Sequence, residues 1–255
     1  MTTERLDKRL VGLRLAVTRS QARRMIDAGR VESLAPGGYW QVQCKASTKL
    51  PGEVQLRVQI SQEDAYVSRG GLKLRAALER SGLNPKGWVA LDLGQSTGGF
   101  TDCLLQAGVA RVVGVEVGRD QLAPRLREDA KVSCYESINA RSLPVDRLLQ
   151  EAPGGYDLAV MDLSFISQTL VLPGLPPVLK PGGYLLSLVK PQFEVGREGI
   201  GKGGIVRDSA LYGGVQARIK ACCEEAGLEP LAYFPSAITG GDGNREFFIQ
   251  AKRIR

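Results

Sequence analysis

Four charged residues follow four apolar segments, where a sheet-based site would be built. Asp92, Glu116, Asp162 and Lys190 each end a segment whose apolar pattern predicts a strand. In an open parallel sheet, ligands bind beyond the carboxyl ends of the strands, so we expect these side chains to share one site. A solvated charge is the commoner explanation for any single strand-end residue. Four such residues in succession favour chemistry at this edge.

The stretch VALDLGQSTGGF, residues 89–100, predicts a strand, a tight glycine turn and the start of a helix. Glycine lets the backbone approach a ligand closely, and a helix N-terminus offers unpaired amide donors. A plain strand-to-helix turn is the alternative interpretation. The alternation of strands and helices that follows favours a nucleotide-like ligand at this turn.

The order of acid and glycines distinguishes two cofactors. A dinucleotide site has the pattern G-x-G-x-x-G, whereas this turn has D-L-G-x-x-x-G-G-F. Asp92 would repel a pyrophosphate but can hold an ammonium group, and Glu116, 24 residues later, suits a ribose diol. We therefore expect S-adenosylmethionine rather than NAD. The predicted cofactor-binding residues are Asp92, Gly94, Gln95, Ser96, Thr97, Gly98, Gly99, Phe100, Glu116, Asn139 and Asp162.

Strand-like and helical segments alternate from residue 88 onward, which predicts an α/β fold with a mostly parallel sheet. Residues 119–129 and the stretch ending in LPPVL at 175–179 are expected to be helical. The last two strands, within 228–237 and 244–253, are expected to form an antiparallel hairpin at one edge. The long glycine-rich loop 191–207 is typical of an active-site lid.

Three further segments precede this pattern. Residues 3–16 and 20–29 predict two helices, the first with Leu6, Leu10 and Leu13 on one face, and residues 45–58 alternate like an edge strand. A helix over 67–83 carries Arg69 and Lys73 in its first turns, where the helix dipole disfavours cations. Either a functional role or an exposed helix that tolerates them explains this placement.

Composition restricts the function classes. The 255 residues suit two domains, and the five cysteines form no CxxC pair, which argues against a disulfide framework or a zinc site. No metal is therefore expected. The chain has no histidine, so acid-base chemistry falls to other side chains. No apolar run is long enough for a membrane span and no signal peptide is visible, so we expect a cytoplasmic protein, and a monomer.

Positive charge is concentrated at the N-terminus. The whole chain carries +7, and residues 1–60 hold 11 basic and 5 acidic residues, or +6. Such a local excess favours a module that binds a polyanion. A solvated basic face without a partner is the alternative.

This N-terminal segment resembles the αL-type RNA-binding domain named after the fourth small-subunit ribosomal protein. The resemblance rests on R-L-D at 5–7, T-R-S-Q-A-R-R-M-I-D-A-G-R-V at 18–31 and K-x-S-T-K at 45–49, although VESLAPGG replaces the usual tight hairpin from residue 31. It implies a small α+β domain at 1–60, a polar linker at 61–66 and a second domain at 67–255. The implied RNA-binding residues are Arg5, Arg19, Arg23, Arg30 and Arg69.

Nearly the whole chain resembles the TlyA (hemolysin A) family of ribosomal RNA 2'-O-methyltransferases, in which such a domain precedes an FtsJ-like, Rossmann-like methyltransferase. The matching motifs are YVSRGGLKL at 66–74, DLGQSTGGFTDCLLQ at 92–106, VEVGRDQL at 115–122, INAR at 138–141, MDLSFIS at 161–167, LVKPQFEVG at 188–196, GGIVRD at 203–208 and GNREFF at 243–248. The resemblance implies methylation of a ribose 2'-hydroxyl in ribosomal RNA, with cytidine as the expected nucleoside.

The resemblance also implies a catalytic tetrad of Lys73, Asp162, Lys190 and Glu246. A ribose hydroxyl is a poor nucleophile, so the protein must orient it and take its proton. A lysine can do so if neighbouring cations and partial burial lower its pKa. We assign this role to Lys190, with Asp162 fixing its ammonium group or the methyl-donor end, and Lys73 and Glu246 positioning ribose and lysine.

Two positions depart from the family pattern. Gln95 stands where a small residue is usual, so it could crowd the cofactor or hydrogen-bond to it, and Glu116 replaces a common Asp and reaches one methylene further. Two other functions stay open at this point. A non-catalytic ribosome-binding or assembly factor is disfavoured by the intact tetrad, and a hemolysin is disfavoured because no apolar span or strongly apolar amphipathic helix is visible.

Overall fold

The computed structural model describes residues 3–61, 64–240 and 243–254. It divides the chain into two compact units, Met1–Arg69 and Gly70–Arg255, which are described separately below. Residues 62 and 63 of the expected linker lie outside the described residues.

The described residues of the first unit form two helices and two small antiparallel sheets. Its elements are β1 (Thr3–Arg5), α1 (Leu6–Gly12), α2 (Arg19–Asp27), β2 (Val31–Leu34), β3 (Trp40–Val42), β4 (Lys49–Pro51) and β5 (Leu56–Val58). β1 pairs with β4, and the other three strands are ordered β3-β2-β5. The hydroxyl of Thr18 caps α2 by accepting from the Gln21 amide at 3.1 Å, as its place before the helix predicts.

Leu6, Leu10, Met25 and Ile26 form the core of the first unit at 0 or 1% exposure. The expected third leucine of this face is 52% exposed, because α1 ends at Gly12, and Leu13 is only its C-cap. The expected strand over 45–58 is also wrong. It divides into β4 and β5, which pair with different partners.

The second unit is built on one large sheet. Its elements are α3 (Arg69–Ser81, beginning at the last residue of the first unit), β6 (Val89–Leu93), α4 (Gly99–Gln106), β7 (Arg111–Glu116), α5 (Pro124–Arg127), β8 (Val132–Glu136), α6 (Val145–Glu151), β9 (Tyr156–Met161), β10 (Leu179–Val189), α7 (Leu211–Glu225), β11 (Leu228–Pro235) and β12 (Phe247–Arg253). In the described part of the chain, seven strands follow the order β11-β12-β10-β9-β6-β7-β8.

The sheet confirms the predicted α/β class. β10, β9, β6, β7 and β8 run parallel, whereas β12 is antiparallel to both β10 and β11 at one edge. The chain returns from β8 to the other side of β6, so the strand order reverses between β6 and β9. A ligand crevice opens at such a switch point. Here Leu93 pairs with Met161, and the Asp162 amide donates to the Leu93 carbonyl at 3.0 Å.

Two local expectations differ from the structure, and one helix was not predicted. The helix expected over 119–129 is only the short α5, because Asp120 has φ +53° and Pro124 begins the helix. The prolines after β9 allow only two 3-10 turns, Gln168–Leu170 and Leu172–Gly174. Helix α6 was not expected because it is short and buries only Leu148. Within the described residues no helix has the length and apolarity that a membrane crossing requires.

Candidate active site

A cavity of about 580 Å³ lies at the carboxyl ends of the central strands, in the range of roughly 300–1,000 Å³ that is usual for small-molecule sites. We call it the first cavity. Its wall includes Gly94, Ser96, Glu116, Val117, Ile138, Asn139, Arg141, Asp162, Leu163, Ser164 and Phe165. Five of the predicted cofactor-binding residues are among these: Gly94, Ser96, Glu116, Asn139 and Asp162.

Glu116 presents a preoriented carboxylate to the first cavity. Its Oε2 accepts from the Ser96 amide at 2.8 Å, and its Oε1 accepts from the Gly118 amide at 2.8 Å. A carboxylate oxygen can accept more than one hydrogen bond. Glu116 therefore retains acceptor capacity for a pair of ligand hydroxyls.

Gly94 forms the wall through its backbone. Its φ of +82° favours glycine, and a Cβ at this position would lie 2.7 Å from the Asp162 carbonyl oxygen. The chain can therefore pass from β6 into the turn beside Asp162 only because position 94 has no side chain.

The residues on this wall fit S-adenosylmethionine. Glu116 suits the ribose diol, Val117 and Ile138 offer apolar surface to a base, and Asn139 offers an amide. The Asp162 carboxylate can counter positive charge at the amino-acid and sulfonium end. This donor and acceptor set matches the separate parts of that cofactor.

Asp92 lies beneath the wall and has 0% exposure. Its Oδ2 accepts from the Thr101 hydroxyl at 2.7 Å, and its Oδ1 has no hydrogen-bond partner among the described residues. Burial raises the pKa of Asp92 to about 7, the Thr101 hydrogen bond opposes this shift, and the nearby charge of Asp162 adds to it. Asp92 is therefore too deeply buried to make the direct contact with a cofactor ammonium group that the sequence predicts.

Gln95 also turns away from the first cavity. Its side chain is buried, its Nε2 donates to the Thr101 hydroxyl at 2.9 Å, and its amide lies over the backbone of Gly114. The expectation that Gln95 crowds or binds the cofactor does not hold for this side-chain position. A link of two hydrogen bonds instead joins it to Asp92.

The remaining predicted cofactor residues shape the turn rather than face the cavity. Gly98 precedes α4 with φ +93°, and a Cβ there would lie 2.4 Å from the side chain of Leu126. Phe100 is buried, with its ring 6.3 Å from that of Phe248. Thr97 and Gly99 likewise do not line the first cavity.

A second cavity of about 510 Å³ contains three of the four predicted tetrad residues. Its wall consists of Lys73, Ser164, Phe165, Lys190, Gln192, Phe193, Ile200, Gly203, Gly204 and Glu246. Asp162, the fourth, lines the first cavity. Ser164 and Phe165 belong to both walls, so the two cavities meet at these residues.

The tetrad forms two ion pairs. Lys73 and Glu246 are buried against each other, with side chains 10% and 3% exposed, so an exposed helix does not explain Lys73. Lys190 Nζ lies 2.6 Å from Asp162 Oδ1 and donates to Ser164 Oγ at 2.9 Å. The four residues come from α3, from the ends of β9 and β10, and from the segment before β12.

An aromatic side chain stands between the cavities. Phe165 is 91% exposed and has φ +63°, a strained conformation that commonly marks a functional site. Its ring centroid lies 5.1 Å from that of Phe193. Sequence reasoning missed Ser164 and Phe165, although both lie in the motif MDLSFIS, because their neighbours come from distant segments.

A buried carboxylate ties together the two segments that carry Asp162 and Lys190. Glu194 accepts from the Gln168 amide at 2.8 Å and from the Ser167 hydroxyl at 2.6 Å. Gln168 in turn donates to the Leu188 carbonyl of β10 at 2.6 Å. These contacts hold the loop after β9 against the end of β10.

In the first unit, the expected RNA-binding arginines differ in their surroundings. Arg5 and Arg19 both donate to the buried Asp7, each at 2.9 Å, and their hydrogen bonds hold the pKa of Asp7 well below its usual range. Both arginine side chains are partly exposed, at 37% and 56%. Arg23 is exposed on α2.

Arg30 does not have the exposed position that the predicted RNA-binding role requires. Its side chain is 14% exposed, forms an ion pair with Asp64 and donates to Ser61 Oγ at 2.7 Å, so it is held inside the first unit. Arg9 is also internal, because it donates to three carbonyls, those of Pro51, Gly52 and Val54. Arg69 begins α3 and is half-buried.

Comparisons with known proteins agree with both units. The family model of the FtsJ-like methyltransferases matches residues 66–253, and the S4 domain model matches residues 4–32. The 16S/23S rRNA (cytidine-2'-O)-methyltransferase TlyA of Mycobacterium tuberculosis is 41% identical over 246 residues, covering 96% of this chain and 88% of that protein. The 23S rRNA (cytidine-2'-O)-methyltransferase TlyA of Campylobacter jejuni is 32% identical and covers 72% and 70%.

Among solved structures, a Streptococcus thermophilus protein that carries a hemolysin name has a TM-score of 0.75 and 39% sequence identity. The match covers 99% of this chain and 89% of that one. The similarity therefore extends through both units.

Proposed function

The chain belongs to the FtsJ-like methyltransferase family, and from this membership we propose that it methylates a ribose 2'-hydroxyl of ribosomal RNA with S-adenosylmethionine as the methyl donor. The named relatives act on cytidine, and we propose a cytidine as the target here. One observation carries this proposal. Lys190 lies 2.6 Å from Asp162 and beside Ser164, where the two cavities meet.

We place the cofactor in the first cavity. When bound, it supplies an electrophilic methyl group. Glu116 would accept hydrogen bonds from the ribose hydroxyls of the cofactor, and Val117 and Ile138 would pack against its base. Asp162 would counter the positive charge of the cofactor, while Asp92 supports the turn from beneath.

We place the target ribose in the second cavity, with Lys190 as the general base. In its amine form Lys190 takes the proton of the ribose 2'-hydroxyl onto Nζ, which makes that oxygen the stronger nucleophile. Asp162 then stabilises the ammonium group. Lys73 and Glu246 hold the ribose, so the reacting oxygen faces the junction between the cavities.

Phe165 offers a stacking surface for the target base. Enzymes that act on nucleotides in folded RNA commonly bind an unstacked base against an aromatic side chain. An exposed ring on the wall of both cavities is placed for that contact. The first unit, whose residues 4–32 match the S4 domain model, supplies phosphate contacts through Arg5, Arg19 and Arg23, with Arg69 as its last residue. Binding should therefore weaken with added salt.

The direct test is transfer of a tritiated methyl group from S-adenosylmethionine to separated ribosomal subunits and to naked ribosomal RNA, followed by mapping of the modified ribose. Lys190→Ala should lower the rate at least about 100-fold and leave cofactor binding by calorimetry nearly unchanged. Lys86→Ala, at an exposed lysine, is the matched control. Absence of incorporation by the unmodified protein into any RNA would contradict the proposal and favour a non-catalytic ribosome-binding role.

A further inference from the structure

We propose that Ser164 is a positioning residue that aims the lone pair of Lys190 into the second cavity. The inference rests on the proposed function, because it concerns the base of that reaction. Ser164 lines both cavities, and its hydroxyl is the acceptor for Lys190 Nζ at 2.9 Å.

The geometry at Nζ defines the direction. A lysine nitrogen has four tetrahedral positions, of which one is the bond to its own Cε. Ser164 Oγ at 2.9 Å accepts a hydrogen bond at a second position. Asp162 Oδ1 lies 2.6 Å from Nζ, but this contact is one of charge only, because Oδ1 has no hydrogen-bond partner among the described residues. In the amine form, one N–H group donates to Ser164, and the lone pair turns away from the negative charge of Asp162. Lys190 lines the second cavity, so that lone pair lies toward the space assigned to the ribose.

Asp162 alone cannot define this direction. Its charge contact sets no hydrogen-bond direction at Nζ, so the amine can rotate about the Cε–Nζ bond and the lone pair samples several orientations. The hydrogen bond to Ser164 restricts this rotation. Positioning of reacting groups contributes strongly to rate, and small displacements of a reacting atom are costly.

The ion-pair partner and the hydrogen-bond acceptor of Lys190 Nζ come from one short segment. Asp162 and Ser164 follow β9, whereas Lys190 follows the neighbouring parallel strand β10, whose Ser187 pairs with Met161. The contacts of Glu194 and Gln168 hold these two segments together. The spacing between Lys190 and these two residues is therefore set by the sheet rather than by a free loop.

The test compares Ser164→Ala, Ser164→Thr and the control Ser209→Ala, at an exposed serine near α7. Single-turnover methyl transfer to RNA is measured across pH with saturating S-adenosylmethionine. We expect Ser164→Ala to slow the step about 10-fold or more with little change in cofactor or RNA affinity. Ser164→Thr, which keeps the hydroxyl, should restore most of the rate, and the control should match the unmodified protein.

A second readout does not depend on activity. In protein with ¹⁵N-labelled lysine, the Nζ proton signal of Lys190, assigned by its loss in Lys190→Arg, reports its hydrogen bonds. We expect this signal to be retained in Ser164→Thr and lost to fast exchange in Ser164→Ala. An unchanged signal and an unchanged rate in Ser164→Ala would overturn the inference. If the unmodified protein and the control fail to methylate any RNA, the proposed function fails instead, whatever the Nζ signal shows.

Discussion

Gln95 occupies the space that a side chain at position 114 would need. A Cβ at Gly114 would lie 2.0 Å from Gln95 Cδ, and the same amide donates to Thr101. The long residue at position 95 and the missing side chain at position 114 are therefore complementary, although 19 positions separate them in the sequence.

Gly114→Ala should displace the Gln95 amide and break its bond to Thr101. Overpacking a buried site typically costs about 1–3 kcal/mol, so the free energy of unfolding should fall by that amount. In a Gln95→Ala background the same substitution should cost much less, because the obstructing amide is gone. Urea unfolding of the four proteins in the double-mutant cycle measures the coupling. An equal cost in both backgrounds would contradict the complementarity.

The Lys73–Glu246 pair should matter for folding as well as for chemistry. Lys73→Met leaves a buried carboxylate without its counter-charge, a change that typically costs about 3–5 kcal/mol. Adding Glu246→Gln removes that charge and should recover much of the stability without recovering methyl transfer. Thermal unfolding and the methyl-transfer assay, run on both variants, separate the two effects. Recovery of activity in the double variant would argue against a role in holding the ribose.

Asp92 should make stability depend on pH. Its pKa is about 7 in the folded protein and about 3.9 in an unfolded chain. Between these values the folded state keeps a proton that the unfolded state releases, so this group's contribution to stability falls as pH rises toward 7 and stays low above it. Asp92→Asn removes the charge and should be more stable relative to the unmodified protein at pH 8 than at pH 5.

Urea unfolding at pH 5, 6, 7 and 8 measures this difference, with Asp146→Asn, at an exposed carboxylate, as the control. The control should shift little between these pH values. A difference between Asp92→Asn and the unmodified protein that is constant from pH 5 to 8 would show that Asp92 is already ionised at pH 5.

Replacement by alanine should affect RNA binding at Arg23 and protein stability at Arg30. Arg23 is exposed, so its loss should weaken RNA binding and reduce the slope of log affinity against log salt by about 1. Loss of Arg30 leaves the buried Asp64 without its counter-charge and should lower the unfolding temperature of the protein. Filter binding across salt concentrations, together with thermal unfolding, distinguishes them. A changed salt slope with unchanged stability in Arg30→Ala would contradict its internal role.

The sequence by itself determined the strands of the central sheet and the edge of that sheet that carries the site. The apolar runs of β6, β7, β9 and β10 and the glycine turn after Leu93 are local signals, because backbone sterics and side-chain periodicity act over a few residues. The motif resemblance added Lys73 and Glu246, which no local pattern marks as partners.

Only the tertiary structure decided which way the individual side chains face. Gln95 and Asp92 lie beneath the first cavity, Arg30 lies inside the first unit, and Phe165 stands exposed between the cavities. Each of these outcomes depends on atoms from distant positions, as in the pair of Lys73 and Glu246, which are 173 residues apart. Burial, charge pairing and close packing are properties of the assembled fold, so they appear only when β6, β9 and β10 bring those segments together.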